Sequence, residues 1–207
     1  MKKFLFLTIA LLITNNVFAY EVTKNEEYYK SQIQNQRLLY NVIGLVNAIQ
    51  KGNNEALELF MKAGFSANES SMGTPLTMFA LYAKNYEALD ILLNYGADPE
   101  QTIPPFYVTA KGQNLLSYSI IRKSSSSVES LIKHKVDVNK KYNGYTPLNL
   151  AISKKQTRIV ELLLKAGAKP DEKTLKAVNK SKDEYLKDLF TEYICLLYTS
   201  PSPRDTR

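Results

Sequence analysis

The chain is poor in the residues on which most compact active sites depend. Its 207 residues include one cysteine, one histidine and no tryptophan. One cysteine cannot close an internal disulfide. A single histidine with a single cysteine does not supply the ligand set of a zinc site. Glycine and proline number eight each, too few for a collagen-like chain, and 44% hydrophobic residues are too many for a wholly disordered one. The longest apolar run, Phe4 to Ile13, has ten residues. A membrane-spanning helix needs about 20, so no stable membrane anchor is expected.

Catalytic constellations are equally scarce. His134 falls near the end of a helical stretch, where a cation is favoured. No nucleophile and orienting acid accompany it, as catalysis by histidine requires. The Ser124–Ser127 run reads as a turn and helix cap. Glu26-Glu27, Asp171-Glu172 and Asp183-Glu184 are adjacent pairs at helix starts, and adjacent helical residues do not face one another. There is no phosphate-binding glycine loop and no metal-ligand spacing. A non-enzymatic protein is expected, with no catalytic residues, no metal and no cofactor.

Both ends read as separate from the folded part. Lys2 and Lys3 precede the apolar run, and Val17-Phe18-Ala19 offers small residues where a signal peptidase reads, so residues 1–19 are expected to be an export signal cleaved after Ala19. No cysteine stands at that point, which excludes a lipoprotein anchor. The last residues, 195–207, resemble the translated end of a sequencing-library adaptor from Cys195 to Asp205. The other reading is a short disordered Ser/Pro tail. Setting both ends aside removes four basic and one acidic side chain and lowers the net charge from +7 to +4. The remainder is lopsided. Residues 20–110 carry −4 and residues 111–194 carry +8. Such a basic half suits an acidic protein or an anionic surface, or it is simply a solvated lysine-rich face.

What the sequence does contain is a repeat. The block Asn54-Glu55-Ala56-Leu57-Glu58-Leu59-Phe60-Met61-Lys62-Ala63-Gly64 returns as Tyr86-Glu87-Ala88-Leu89-Asp90-Ile91-Leu92-Leu93-Asn94-Tyr95-Gly96. It returns again in Val128-Glu129-Ser130-Leu131-Ile132-Lys133-His134-Lys135 and in Arg158 to Ala168. Its closing residue moves from Gly64 to Gly96, Lys135 and Gly167, in steps of 32, 39 and 32. A second marker, Gly52, Lys84, Lys123 and Lys155, moves by the same steps. Shorter helical stretches lie upstream, two of them opened by Thr74-Pro75-Leu76 and Thr146-Pro147-Leu148. Threonine caps a helix through its hydroxyl, and proline loses nothing at the first helical position. Ser126 with Glu129 fits a capping box. The closing glycines suit the left-handed residue that ends a helix. Leu57, Phe60, Leu89, Leu92, Leu93, Leu131, Ile132, Leu162 and Leu163 are expected to form a continuous core, since each helix pair buries its apolar face only against its neighbour.

These motifs resemble the ankyrin repeat family, most clearly from Thr146-Pro147-Leu148 through Ala168. Gly96-Ala97-Asp98 and Val136-Asp137-Val138-Asn139 match the family's exit motif. The family's histidine after Thr-Pro-Leu is replaced by Thr77, Ser117 and Asn149, and its mid-repeat glycine survives only as Gly52. Those losses are expected to weaken local hydrogen bonding. The resemblance implies an all-α ankyrin-repeat solenoid of about four units, 38–70, 71–103, 113–140 and 144–170, within 38–170. A polar N-terminal helix in 20–37 and a helix pair in 171–194 are expected to cap the stack. In that pair Ala177, Leu186 and Leu189 repeat Ala151, Val160 and Leu163 at a spacing of 26.

In such proteins the turns project as fingers, and fingers plus first helices make a concave binding face. With the export signal, that implies an exported, monomeric module for an unidentified protein partner, with no role for nucleic acid. A periplasmic location is expected, with full secretion as the alternative. An inhibitor or immunity protein against a delivered toxin, or a stress-defence accessory, is the narrower alternative. The 39-residue step inserts seven residues between the second and third units. Insertions in repeat proteins map to loops, and Phe106 and Tyr107 in this one are of the aromatic type enriched at interface hot spots. Lys140, Lys141 and Tyr142 of the next finger are the other candidates. Tyr145 beside them is expected to pack inward.

Overall fold

The computed structural model describes residues 25–102 and 114–199. The export signal at 1–19, Phe106, Tyr107 and the tail beyond Thr199 lie outside the described residues. The chain forms two compact bodies, one ending at Ala97 and the other beginning at Asp98.

The first body opens with helix α1, residues 25–35, which buries Ile33 completely. Two helix pairs follow, α2 (Val42–Lys51) with α3 (Asn54–Lys62), then α4 (Leu76–Tyr82) with α5 (Tyr86–Asn94). Between the pairs a finger is made by β1 (Ser70–Ser71) and β2 (Thr74–Pro75), antiparallel, with Ser71 opposite Thr74. Its two-residue turn, Met72 and Gly73, has φ of 52° and 75°, the left-handed pair that matches the twist of a short hairpin. α4 packs on α2 and α5 on α3. Tyr40 joins the first pair, stacking on Phe60 and meeting Phe65 edge-on at 5.1 Å between ring centres.

The second body repeats the plan. The pairs are α6 (Leu115–Ile121) with α7 (Ser125–Lys133), α8 (Pro147–Ser153) with α9 (Thr157–Lys165), and α10 (Glu172–Lys180) with α11 (Glu184–Thr199). First helices α6, α8 and α10 stack on one another, as do second helices α7, α9 and α11. The Tyr142–Tyr145 bridge makes the finger ahead of α8. The inserted segment is closed at its base by an antiparallel bridge from Thr102 to Asn114.

The repeat register explains which residues are buried. Leu57, Leu89, Val128 and Val160 share one position, and Phe60, Leu92, Leu131 and Leu163 another; all are at or near zero exposure. Two expected core residues belong elsewhere. Leu162 shares its position with Leu59, Ile91 and Ser130, on the flank of the second helix, and is half-buried while Leu163 and Leu164 are covered. Ile132 is also half-buried.

Caps hold the helix starts. Asn41, Asn53, Asn85, Asn114 and Thr146 each accept a backbone N–H three residues on, which satisfies a donor that a helix start leaves open. The expected threonine cap forms at Thr146 but not at α4, where Pro75 occupies the cap position with no side-chain bond. The expected Ser126–Glu129 box does not form either. The helix starts two residues earlier, capped by Ser124, which accepts from the Ser127 N–H and lies 2.8 Å from the Ser127 hydroxyl. The expectation for the Ser124–Ser127 run as a turn and cap holds.

Both sequence markers are left-handed residues. Gly64, Gly96 and Gly167 have φ of 87–88°, and Lys135 in the same role has 63°. Gly52 has 71°, with Lys84, Lys123 and Lys155 at 54–58°. The repeat period is thus the period of the two turns that end each helix of a pair.

Candidate functional site

The fingers are tied to their repeats by a ladder of amides and carboxylates at equivalent positions 68, 100, 139 and 171. In the first body the Asn68 side chain donates to the Gly96 carbonyl at 2.9 Å. In the second, Asn139 donates to the Gly167 carbonyl and accepts from the Lys169 N–H at 2.7 Å. Glu100 performs the equivalent task with one oxygen, accepting from the Asp137 N–H at 2.7 Å. Its second oxygen takes the Lys140 ammonium, also at 2.7 Å.

That contact decides the standing of the finger candidates. Lys140 is held by Glu100, whose hydrogen bond and charge raise its pKa. Tyr142 is half-buried, and desolvation raises its phenol pKa. Lys141 is exposed. Tyr145 does not pack inward; it is 55% exposed. The backbone reason is the Asn143-Gly144 turn, with φ of 49° and 78°, which pairs Tyr142 with Tyr145 and lets the second ring stand out from the finger.

Tyr145 is among the residues that line an open groove of about 760 Å³. The floor is formed where α10 lies against α8: Ile152 and Ser153 on one side, Ala177 on the other, with Val160 and Leu186 beneath. Lys155, Lys173, Lys180 and Lys182 stand around it. The groove lies at the last helix pair, which is spaced by 26 residues rather than 32. Ala177 repeats the register of Ala151, yet Ala151 is fully buried and Ala177 is exposed to the groove. At the base Gln156 is held by a 2.8 Å bond to the Ile120 carbonyl of the preceding repeat. Asn85 makes the equivalent bond to Ile49 in the first body.

Asn149 of the lining is hydrogen-bonded to the cap of α10. Asp171 caps α10 and accepts from the Thr174 N–H at 2.8 Å, while the Thr174 hydroxyl accepts from the Asp171 N–H. Asn149 donates to both Asp171 oxygens, at 3.0 and 2.9 Å. The Thr174 N–H, then the Thr174 hydroxyl and the Asn149 amide, hold the Asp171 carboxyl down at about 2 against the desolvating effect of its surroundings. Asn149 stands where the resembled family has histidine. The expected weakening does not occur at this repeat, because the shorter amide bridges α8 to the cap of α10. Sequence reasoning missed Asn149, Lys155, Lys173, Lys180 and Lys182. The 26-residue step set the last helix pair apart, but nothing local in the sequence marked these side chains as neighbours.

Among the described residues no group of three or more His, Cys, Asp or Glu converges, and no helix is long and apolar enough to cross a membrane. His134 is the residue that closes α7, half-buried.

Comparison with known proteins agrees with this architecture. Residues 104–174 match the family model for ankyrin repeats (3 copies). The ankyrin repeat protein FPV014 of Fowlpox virus (strain NVSL) is 21% identical over 132 residues, 63% of this chain and 29% of that protein. Alpha-latrocrustotoxin-Lt1a of Latrodectus tredecimguttatus is 32% identical over 126 residues, 58% of this chain and 8% of the toxin. The chain thus spans under a third of the first relative and under a tenth of the second. The crystal structure of the human ASB11 ankyrin repeat domain superposes with a TM-score of 0.55 at 19% identity, covering 72% of this chain and 68% of that one. The fold is therefore the ankyrin-repeat fold, a helix-pair solenoid with short fingers, and residues 104–174 carry that family's sequence pattern.

Proposed function

We propose that this chain is a non-catalytic module that binds a protein partner through its fingers and first helices, and that it works after export, in the periplasm. Ankyrin repeats are generic protein–protein interaction modules, and this chain has their fold. The observation that carries the reading is the groove of about 760 Å³ lying open between α8 and α10. It is lined by the exposed Tyr145 of the finger, by first helices α8 and α10 and by the turns and second helices that follow them, and its volume is in the range of ligand clefts. The segment inserted between Thr102 and Asn114, with Phe106 and Tyr107, is the second candidate contact, on the ground of its sequence. The export part of the proposal rests on the sequence of residues 1–19.

The test is capture with the tagged chain from a periplasmic extract, followed by titration with the purified captured protein. One protein is expected to saturate, with affinity reduced in a Phe106→Ala, Tyr107→Ala variant. Equal affinity of that variant would remove the inserted segment from the interface. Turnover of a substrate with no saturable partner would overturn the module reading. N-terminal sequencing is expected to find Tyr20 first; an intact Met1 in the cytosol would overturn the export reading.

A further inference from the structure

Among the described residues, some lysines of the second body are ion-paired and others are not, and the exposed unpaired ones include Lys123, Lys135, Lys141, Lys154 and Lys169 away from the groove as well as four that line it. Lys140, Lys165, Lys176 and Lys187 each meet a carboxylate within 3 Å. Those around the groove do not. Lys155, Lys173, Lys180 and Lys182 are exposed and form no ion pair among the described residues. The division is sharpest on α10. Lys176 pairs with Glu172 away from the groove, while Lys173, Ala177 and Lys180, at spacings of four and three, form one face that turns toward it. Asp183, the acidic residue of the lining, is already engaged. It accepts the Leu186 N–H at 3.1 Å and the Thr157 hydroxyl at 3.2 Å.

Lys155 also permits a substitution that leaves the fold unharmed. Its φ is 54°, a conformation that costs any residue with a Cβ and that glycine adopts freely. Glycine stands at the equivalent position of the first repeat, Gly52. Lys84 and Lys123 hold the same position and conformation in other repeats, so the strain belongs to the repeat; Lys155 is the one of the three that lines the groove.

We propose that the groove between α8 and α10 receives an extended acidic segment of a protein partner, with carboxylates toward the four lysines and an apolar side chain over Ile152 and Ala177. This deepens the module reading above and rests on it. An acidic polypeptide fits better than a nucleic acid for two reasons. The lining holds no arginine, the side chain suited to paired recognition of phosphates, and it offers one tyrosine where a stacking platform needs several. Its floor is aliphatic, which suits a peptide side chain.

The test uses the full chain and a fluorescent peptide alternating glutamate with leucine. Controls are the same peptide with serine or lysine for glutamate, and a single-stranded oligothymidylate. Saturable binding of the acidic peptide is expected, weakening as salt rises. Two substitutions separate binding from folding. Lys155→Gly relieves the backbone, so its melting temperature is expected to hold or rise. Lys173→Glu puts an acid in the first turn of α10, where the helix dipole favours it. Together they are expected to weaken the acidic peptide by about tenfold or more, while Lys176→Ala leaves it unchanged. Equal binding of the serine peptide, or acidic binding untouched by the double variant, would overturn the proposal. Tighter binding of the oligonucleotide, lost in the same variant, would overturn it in favour of nucleic acid. A captured protein partner indifferent to the double variant would sink the groove and leave the module reading standing. Failure to find any saturable partner would sink both.

Discussion

At the scale of single residues, the four lysines in left-handed turns are the points where sequence and backbone disagree. Lys84, Lys123, Lys135 and Lys155 have φ between 54° and 63°. The equivalent glycines have open space where a Cβ would stand, so the lysine side chain meets no obstruction and the cost lies in the backbone alone. That cost is about 1–2 kcal/mol for a residue with a Cβ. Glycine recovers it but loses roughly 0.5–1 kcal/mol to its freer unfolded chain. Lys123→Gly and Lys135→Gly, both exposed, are therefore expected to gain about 0.5–1 kcal/mol each. A chain of this size should then melt about 1–4 °C higher. Thermal unfolding of each variant checks this, and a lower melting temperature in both would show that the lysines make compensating contacts. Gly44 shows the opposite case. A Cβ there would lie 1.9 Å from the Leu39 carbonyl oxygen. That glycine answers a close approach of backbone between α2 and the turn before it, and nothing in its sequence surroundings announces this.

At the scale of elements, the cap of α10 couples a helix start to the preceding repeat. Asp171 serves the Thr174 N–H and receives the Asn149 amide, and these bonds hold its carboxyl at about 2 instead of 3.8. The folded pKa is depressed, so the contribution is present above pH 3.8. It is lost as the pH falls toward 2. Asp171→Asn keeps an acceptor at the cap and removes the charge. Asn caps as well as Asp, so the loss at neutral pH comes from the charge and is expected to be about 1 kcal/mol after solvent screening. The difference between variant and wild type should shrink between pH 4 and pH 2. Denaturant midpoints of both proteins across that range measure it, and a constant difference would place the stabilisation in the cap geometry and not in the charge. The elements themselves were legible because their signals are local. Thr146-Pro147, the closing glycines and the apolar spacing each act within one turn of helix. Ser126–Glu129 misled because Ser124 offers the same chemistry two residues earlier and its position, not its type, matches Asn53 and Asn85. The groove was not legible, since it arises from how much α10 covers α8, a property of two elements and not of one.

At the scale of the whole chain, the helix-pair solenoid was readable from period alone, because a repeat that cannot bury its own face must stack. The same argument says what the last pair does. Leu148, Ala151, Val160 and Leu163 of the α8–α9 repeat are fully buried, and α10 and α11 are the elements packed on its outer side. Val178, Leu186 and Phe190 supply the covering side chains, and the Tyr193 hydroxyl donates to the Ala168 carbonyl at 3.0 Å. These contacts end at Tyr193, although α11 continues to Thr199 and Cys195 on it is exposed. Two truncations then have different expected outcomes. Ending the chain after Ile194 removes none of the named contacts and should change stability by less than about 0.5 kcal/mol. Ending it after Pro170 uncovers the outer face of α8 and α9. Full burial of a leucine or valine side chain is worth about 1.5–3 kcal/mol, so exposing even part of that face costs several kcal/mol, comparable to the whole stability of a domain. The shorter chain is expected to aggregate or to lose cooperative unfolding, by light scattering and circular dichroism. A soluble, cooperatively folded chain ending at Pro170 would mean that α10 and α11 do not cap the stack. The groove they complete would then be a feature of an appended pair, and its lysines would need a different reason to stand unpaired.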